Sequence, residues 1–376
     1  MDVQSLTLKL FQELMALDTI NPPGNEKRAA DYLYQVFSKA GIPCEVQELG
    51  DNRANFIAEC GSGEPVLEFC GHLDVVPFSE GWNYEPVGAT EEKGVYYGRG
   101  ACDMKGGVAA MCAAALALHE AGFPQKGTLR LTFVADEEHA NLGMHAYLAS
   151  HRAADWAVIG EPTEMNVAIA HRGVARYYVD LHGKASHAAL PVPPDTAVAL
   201  AARSVLAFEQ MNAELAQETH EVLPPPSIVV TQMQGYEKDN VVPAHVRLLT
   251  DYRLLPGTTE EQAKARIEAA LEKSGIVNYT LEKRFCMPGG AIPMRDPFVS
   301  ACLRVMGQMQ RKTLEACAFD ASCEQCFLLE KGVRTVICGP GALAQAHTTN
   351  EFVTRDQLLL GAEAYRALAL EMLKEE

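Results

Sequence analysis

The sequence predicts an α/β protein with a mostly parallel sheet and an inserted four-stranded α+β module. Three features lead there. Between residues 44 and 160, short apolar strands alternate with helical stretches, the rhythm of parallel strands joined by helical crossovers. From Arg172-Gly173 to Met287 the texture changes to two strand–helix–strand units, enough for one small module. The apolar run from Val66 to Cys70 stops at Gly71 and delivers His72-Leu73-Asp74, as a buried strand does where open α/β sheets place their chemistry.

Taken in order, Leu6, Leu10, Phe11, Leu14 and Leu17 recur at helical spacing. Asn21-Pro22-Pro23-Gly24-Asn25 interrupts them before a second amphipathic helix through Tyr32, Val36 and Phe37. Strands are expected at 44–48 and 54–60, followed by the central strand. An Ala-rich helix at 104–120, a strand at 128–135, a helix at 142–150 and a strand at 156–160 continue the alternation. The insertion reads as a strand at 176–182, a helix at 196–215, strands at 228–233 and 246–255, a helix at 260–273 and a strand at 279–285. Thr259 with Gln262 forms a capping-box pattern before the second of these helices. After Met287-Pro288-Gly289-Gly290 the first domain resumes, with helices at 297–309 and 323–330, a strand at 334–338, and a last helix at 356–373 capped by Thr354 and Gln357. The expected domains are therefore 1–173 with 288–376, and 174–287 inserted between them.

Composition narrows the function. The 376 residues, 48% of them hydrophobic, suffice for a large core and two domains. A net charge of −17 opposes nucleic-acid binding, which needs a basic footprint. No apolar run reaches membrane-spanning length and the start, Met1-Asp2-Val3, is acidic, so neither a membrane span nor a signal peptide is expected and the reading is cytoplasmic. The 11 cysteines are odd in number and scattered, and Cys60, Cys70, Cys112 and Cys338 sit inside apolar runs as reduced thiols do. Cys323-Glu324-Gln325-Cys326 has no second pair, which argues against a zinc ribbon and leaves a redox pair as the minor reading.

The chemistry lies at strand ends. His72 and Asp74 are one residue apart, so on an extended backbone they share a face, where a carboxylate can orient an imidazole or both can approach one ion. Alone, the pair reads equally as a core histidine beside a strand-end aspartate. Asp103 lies in Gly98-Arg99-Gly100-Ala101-Cys102-Asp103-Met104-Lys105-Gly106-Gly107, a glycine-flanked turn that opens a helix. Asp136-Glu137-Glu138 follows one strand, Gly160-Glu161-Pro162 ends another, and His347 follows Gly339-Pro340-Gly341 after a third. Each alone fits a solvated loop acid or a helix cap, but together they converge on one edge of one sheet. Two histidines and three carboxylates suit two zinc or similar ions bridged by one carboxylate, with the adjacent Glu137 and Glu138 dividing proton handling from metal binding.

These motifs, with Gly-Glu-Pro-Thr at Glu161 and Ala-His-x-x-Asn-Glu at His347, resemble the M20 metallopeptidase/deacylase family over essentially the whole chain. Within it the sequence is most similar to the acetylornithine deacetylase and succinyl-diaminopimelate desuccinylase branch. The resemblance implies a metallopeptidase-type catalytic domain with an inserted lid and dimerisation domain, and two zinc ions per subunit, with cobalt able to substitute. It implies that Asp103 bridges the ions, that His72 and Glu161 complete one site and Glu138 and His347 the other, that Glu137 is the general base, and that Asp74 orients His72. It implies a cis peptide bond at Asp103–Met104. His187, in Gly183-Lys184-Ala185-Ser186-His187-Ala188-Ala189, matches the histidine that reaches into the partner subunit's site to hold the oxyanion. Asn240 and Arg253 match positions that hold the substrate carboxylate, which arginine's forked donors suit, and Arg172 is a weaker candidate, because an arginine at a domain junction can simply tie the domains together.

The implied activity is hydrolysis of a small N-acylated amino acid, by acetyl or succinyl removal, in a homodimer. Cys323-Glu324 is closer to the Thr-Glu of the deacetylases than to the Gly-Gly-Thr-Ser-Asp of the desuccinylases, which tilts the reading towards deacetylation. Leu190-Pro191-Val192-Pro193-Pro194 departs from the family's glycine and Asn-Ala, so a differently shaped interface loop is expected. An exopeptidase acting on short peptides stays open, since it would share every ligand and differ only in its pocket. A non-catalytic binding protein would have lost a ligand or the base, and none is missing. A dehydrogenase is disfavoured because Gly98-Arg99-Gly100 lacks the G-x-G-x-x-G spacing.

Overall fold

The computed structural model describes residues 2–191 and 193–374; Met1 and Val192, which enter the readings of the start and of the interface loop, lie outside the described residues. The chain divides into two compact units, Met1–Ile169 with Ala291–Phe319 and Cys323–Glu376, and Ala170–Gly290 with Asp320–Ser322.

The first unit is built on a nine-stranded mixed sheet, whose order runs Cys44–Gly50, Arg53–Ser62, Gly127–Val134, Val66–His72, Trp156–Pro162, Arg334–Gly339, Ala168–His171 and Gly290–Ala291, with Cys317–Phe319 paired to Ala168–His171. Four neighbouring strands, Gly127–Val134, Val66–His72, Trp156–Pro162 and Arg334–Gly339, are parallel. The pairings of Cys44–Gly50 with Arg53–Ser62, and of Arg53–Ser62 with Gly127–Val134, are antiparallel. Every residue of Val66–His72 and of Gly127–Val134 is buried. Glu68, Thr128, Arg130 and Thr132 are buried along with their apolar neighbours, since a parallel sheet is covered on both faces.

The helix Lys105–Glu120 packs against Val3–Met15 and Arg355–Met372, and its alanines let it lie close to its neighbours. The approach to the sheet is closer still at Gly107, where a Cβ would stand 2.4 Å from the Gly160 carbonyl oxygen. A Cβ at Gly339 would stand 2.1 Å from the same oxygen. Side chains at these two positions would force the helix and the strand Arg334–Gly339 away from the strand end that carries Glu161.

Several details differ from the sequence reading. His72 and Glu161 lie inside their strands, which run two residues further than the apolar patterns indicated. The helix expected at 323–330 begins at Gln325, leaving Cys323 and Glu324 ahead of it. A small antiparallel sheet of Thr90–Glu92, Val95–Tyr97 and Phe352–Thr354 carries too few residues for periodicity to register. Cys323 and Cys326 are buried, and burial pushes both thiols well above their ordinary range, which disfavours the redox-pair reading.

The second unit is a four-stranded antiparallel sheet in the order Ser227–Gln234, His245–Leu254, Gly173–His182 and Tyr279–Met287, with the helices Ala197–Leu215 and Glu260–Lys273. Each helix joins two strands that have another strand between them, so the two strand–helix–strand units interleave in one sheet. Ala175, Tyr177, Val179 and Leu181 alternate along Gly173–His182 and enter a core with Leu200, Phe208, Leu248, Tyr252, Ile267 and Leu271. Each such large side chain contributes about 1.5–3 kcal/mol on burial. The capping box predicted at Thr259 and Gln262 is present, with both reciprocal hydrogen bonds formed.

Candidate metal centre

Because four adjacent strands run parallel, their C-terminal ends open on one edge, and each delivers part of a single cluster. In sheet order these ends supply Glu137 and Glu138, then His72, then Glu161, then the loop that carries His347. Asp103 comes from the turn before the helix Lys105–Glu120 and is buried. Its two carboxylate oxygens face different partners. Oδ1 lies 3.1 Å from His72 Nε2, which is itself 3.4 Å from Glu161 Oε1. Oδ2 lies 3.2 Å from His347 Nε2, which is 3.1 Å from Glu138 Oε1. Two imidazole–carboxylate pairs thus flank one aspartate. The Asp103–Met104 peptide bond is cis.

The electrostatics follow from crowding acids out of water. Burial, with Asp103 alongside, pushes Glu161 up to about 8. Burial, with Glu324 next, holds Glu137 well above the usual carboxylate range, and burial with Asp103 raises Glu138. Asp103 goes the other way: burial alone would raise it, but hydrogen bonds to His347 and His72 hold it below its ordinary value. Hydrogen bonds to Asp103 and Glu138 push His347 up to about 10. Burial alone would lower His72, but Asp103 and Glu161 hold it well above its ordinary value. Among the described residues no lysine or arginine hydrogen-bonds to these acids. The donor set of imidazole nitrogens and carboxylate oxygens fits divalent cations, and His72, Asp103 and Glu138 offer atoms within 4.8 Å of one another.

The supporting contacts differ in part from expectation. His72 Nδ1 meets the Asp74 carbonyl oxygen at 2.9 Å, whereas the Asp74 carboxylate stands 3.7 Å away. That carboxylate instead accepts the backbone N–H groups of Glu137 and Glu138, each at 3.1 Å, and so shapes the turn that presents both acids. Asn21 Nδ2 donates to Asp74 and to Asp136, each at 2.9 Å, and Asp136 pairs with Arg53 at 2.8 Å. Asp136 is thereby occupied away from the cluster. Sequence reasoning took Asn21 only as part of a helix break.

Two more acids were not singled out. Glu351 Oε1 accepts the N–H groups of Cys102 at 2.9 Å and Asp103 at 3.1 Å, while Oε2 pairs with Arg99 at 2.6 Å. It ties the His347 loop to the Asp103 turn, and its place in Asn350-Glu351 after His347 was the available signal. Glu324, read only as a substrate-class marker, is fully buried and offers an oxygen within 4.8 Å of oxygens from Glu137 and Glu161.

The remaining candidates belong to the second unit. His187 pairs across a short antiparallel ladder with Val241, is exposed, and has the Asn240 amide 3.3 Å from Nε2. The Ala189 N–H donates to His187 Nδ1 at 3.1 Å. Arg253 Nε donates to Asp251 at 2.6 Å, and Arg176 holds the other oxygen of that carboxylate at 2.8 Å. Arg172 reaches the Pro225 carbonyl at 3.3 Å, and burial, then the Arg253 guanidinium, lowers it from its ordinary value. These contacts bring His187 and Asn240 together, and place Arg172 within the field of Arg253.

One edge of the sheet thus gathers two imidazoles and two carboxylates around one shared aspartate, the donor set of a metal-binding protein. The model of peptidase family M20/M25/M40 matches residues 69–371, and the chain belongs to that family. It is 29% identical to the acetylornithine deacetylase of Vibrio atlanticus, over 93% of this chain and 94% of that protein. It is 26% identical to a probable succinyl-diaminopimelate desuccinylase of Staphylococcus aureus, over 98% of each. In structure it is similar to the aminopeptidase PepT of Bacillus cereus, with a TM-score of 0.81, 20% identity, and 98% of each chain covered. Among the described residues no helix is long and apolar enough to cross a membrane.

Proposed function

We propose that the protein is a two-metal amidohydrolase that removes an acetyl or succinyl group from the nitrogen of an amino acid. The observation that supports this most directly is Asp103, whose Oδ1 faces His72 at 3.1 Å and whose Oδ2 faces His347 at 3.2 Å, one oxygen for each of two ions. His72 and Glu161 would hold one, Glu138 and His347 the other, zinc being the expected metal and cobalt a substitute. Bound there, the ions would acidify a water and polarise the amide carbonyl.

Glu137 stands beside these ligands without being one of them. It takes the proton of the attacking water and returns it to the leaving amine. Its turn is held by Asp74, whose backbone carbonyl also fixes His72. His187 donates to the developing oxyanion in the site of a partner subunit, in keeping with its exposure. The second unit then serves as lid and dimerisation domain, Asn240, Arg253 and Arg172 hold the substrate carboxylate, and the enzyme works as a cytoplasmic homodimer. His187→Ala is expected to lower kcat about 10²–10³-fold with unchanged metal content. Unchanged kcat would remove the histidine from the reaction.

The likeness to PepT supports a second reading, an exopeptidase on the same cluster. Hydrolysis by metal-loaded and chelated enzyme is therefore to be measured on N-acetylornithine, N-succinyl-diaminopimelate, other N-acetyl amino acids and simple peptides. Chelator-sensitive release from an acyl-amino acid is the expected result. Cleavage of peptides alone would establish the exopeptidase, and equal activity with and without chelator would sink both readings.

A further inference from the structure

Glu324 immediately precedes the helix Gln325–Glu330, and its side chain makes no capping bond. It is fully buried, and neither carboxylate oxygen has a hydrogen-bond partner. One of those oxygens, one of Glu137 and one of Glu161 all lie within 4.8 Å of one another. Among the side chains acting on it electrostatically, Asp74 and Asp103 add negative charge, and His72 supplies the opposing field. A buried carboxylate that neither caps a helix nor accepts a hydrogen bond is costly, and a divalent cation is the partner its surroundings are built to hold.

Resting on the two-ion reading above, we propose that Glu324 is a further metal-holding residue, which joins Glu161 and makes the buried position bind its ion more tightly than the Glu138–His347 position does. The two positions already differ in exposure. The His72 and Glu161 side chains are 0% and 6% exposed, whereas in the other position Glu138 is 8% and His347 52% exposed, so the difference lies in the histidine. Attraction between a carboxylate and a cation is stronger where water is excluded, so an added acid counts most on the buried side. The buried position then offers one imidazole and three carboxylates, a set rich in oxygen that accepts Mn²⁺ as well as Zn²⁺. The two positions are expected to fill in sequence, the buried one first.

The test uses the metals themselves as probes on the full-length protein. Chelated wild type, Glu324→Gln and Glu324→Asp are titrated calorimetrically with Zn²⁺ and with Mn²⁺, bound metal is counted after gel filtration, and circular dichroism verifies folding. Wild type should take up two ions in two unequal steps. Glu324→Gln should weaken the tighter step at least about tenfold and leave the weaker step alone, and Glu324→Asp should recover part of the loss. Two unchanged affinities in Glu324→Gln, or equal weakening of both steps, would overturn the assignment. Uptake of fewer than two ions by wild type would instead overturn the two-ion reading on which it rests.

Discussion

Glu137→Gln lowers kcat by about 10²–10⁴-fold and leaves two ions bound per chain, if Glu137 moves the proton and does not hold the metal. Asp103 Oδ1 and Oδ2 are matched to His72 and His347, while Glu138 pairs with His347 and Glu161 with His72, and Glu137 takes no part in these pairings. Glutamine keeps the volume and the Asp74 contact, since that contact uses the Glu137 backbone N–H at 3.1 Å. Single-turnover kinetics and metal counting on the same preparation give the answer. Loss of an ion in the variant would move Glu137 into the ligand set.

The second large effect is expected at Asp103. Replacing it by alanine removes one oxygen from each position at once, and both imidazoles lose the acceptor that lies 3.1–3.2 Å away. Affinity for both ions should fall more than about 100-fold, beyond the 10–100-fold cost typical of partners one shell further out. Turnover should vanish with the metal, whatever the substrate. Glu161→Ala, by contrast, should weaken one step of a metal titration and spare the other. Retention of two ions by Asp103→Ala would refute the shared-ligand geometry, and equal loss of both steps in Glu161→Ala would refute the separation into two positions.

Much of the fold was legible in the sequence because the patterns behind it are local. The apolar-rich strands from Val66 and Leu129, the Ala-rich helix after Asp103 and the capping pattern at Thr259 each reflect patterns within a few residues, so reading them requires no knowledge of the rest of the chain. The gathering of ligand-type residues at strand ends was also legible, because parallel strands joined by crossovers must point their C-terminal ends the same way. Which atoms meet was not. That the Asp74 carboxylate turns to the Glu137 and Glu138 amides, that Asn21 bridges Asp74 and Asp136, and that Glu351 anchors the Asp103 turn all depend on residues 53 to 249 positions apart. Glu324 is the clearest case. In the sequence it is one acid between two cysteines, and its burial without a partner arises only when the fold closes around it. Periodicity encodes which face of an element is covered, whereas the partners of a polar side chain are chosen by tertiary packing, through hydrogen-bond directions and desolvation that no local pattern carries.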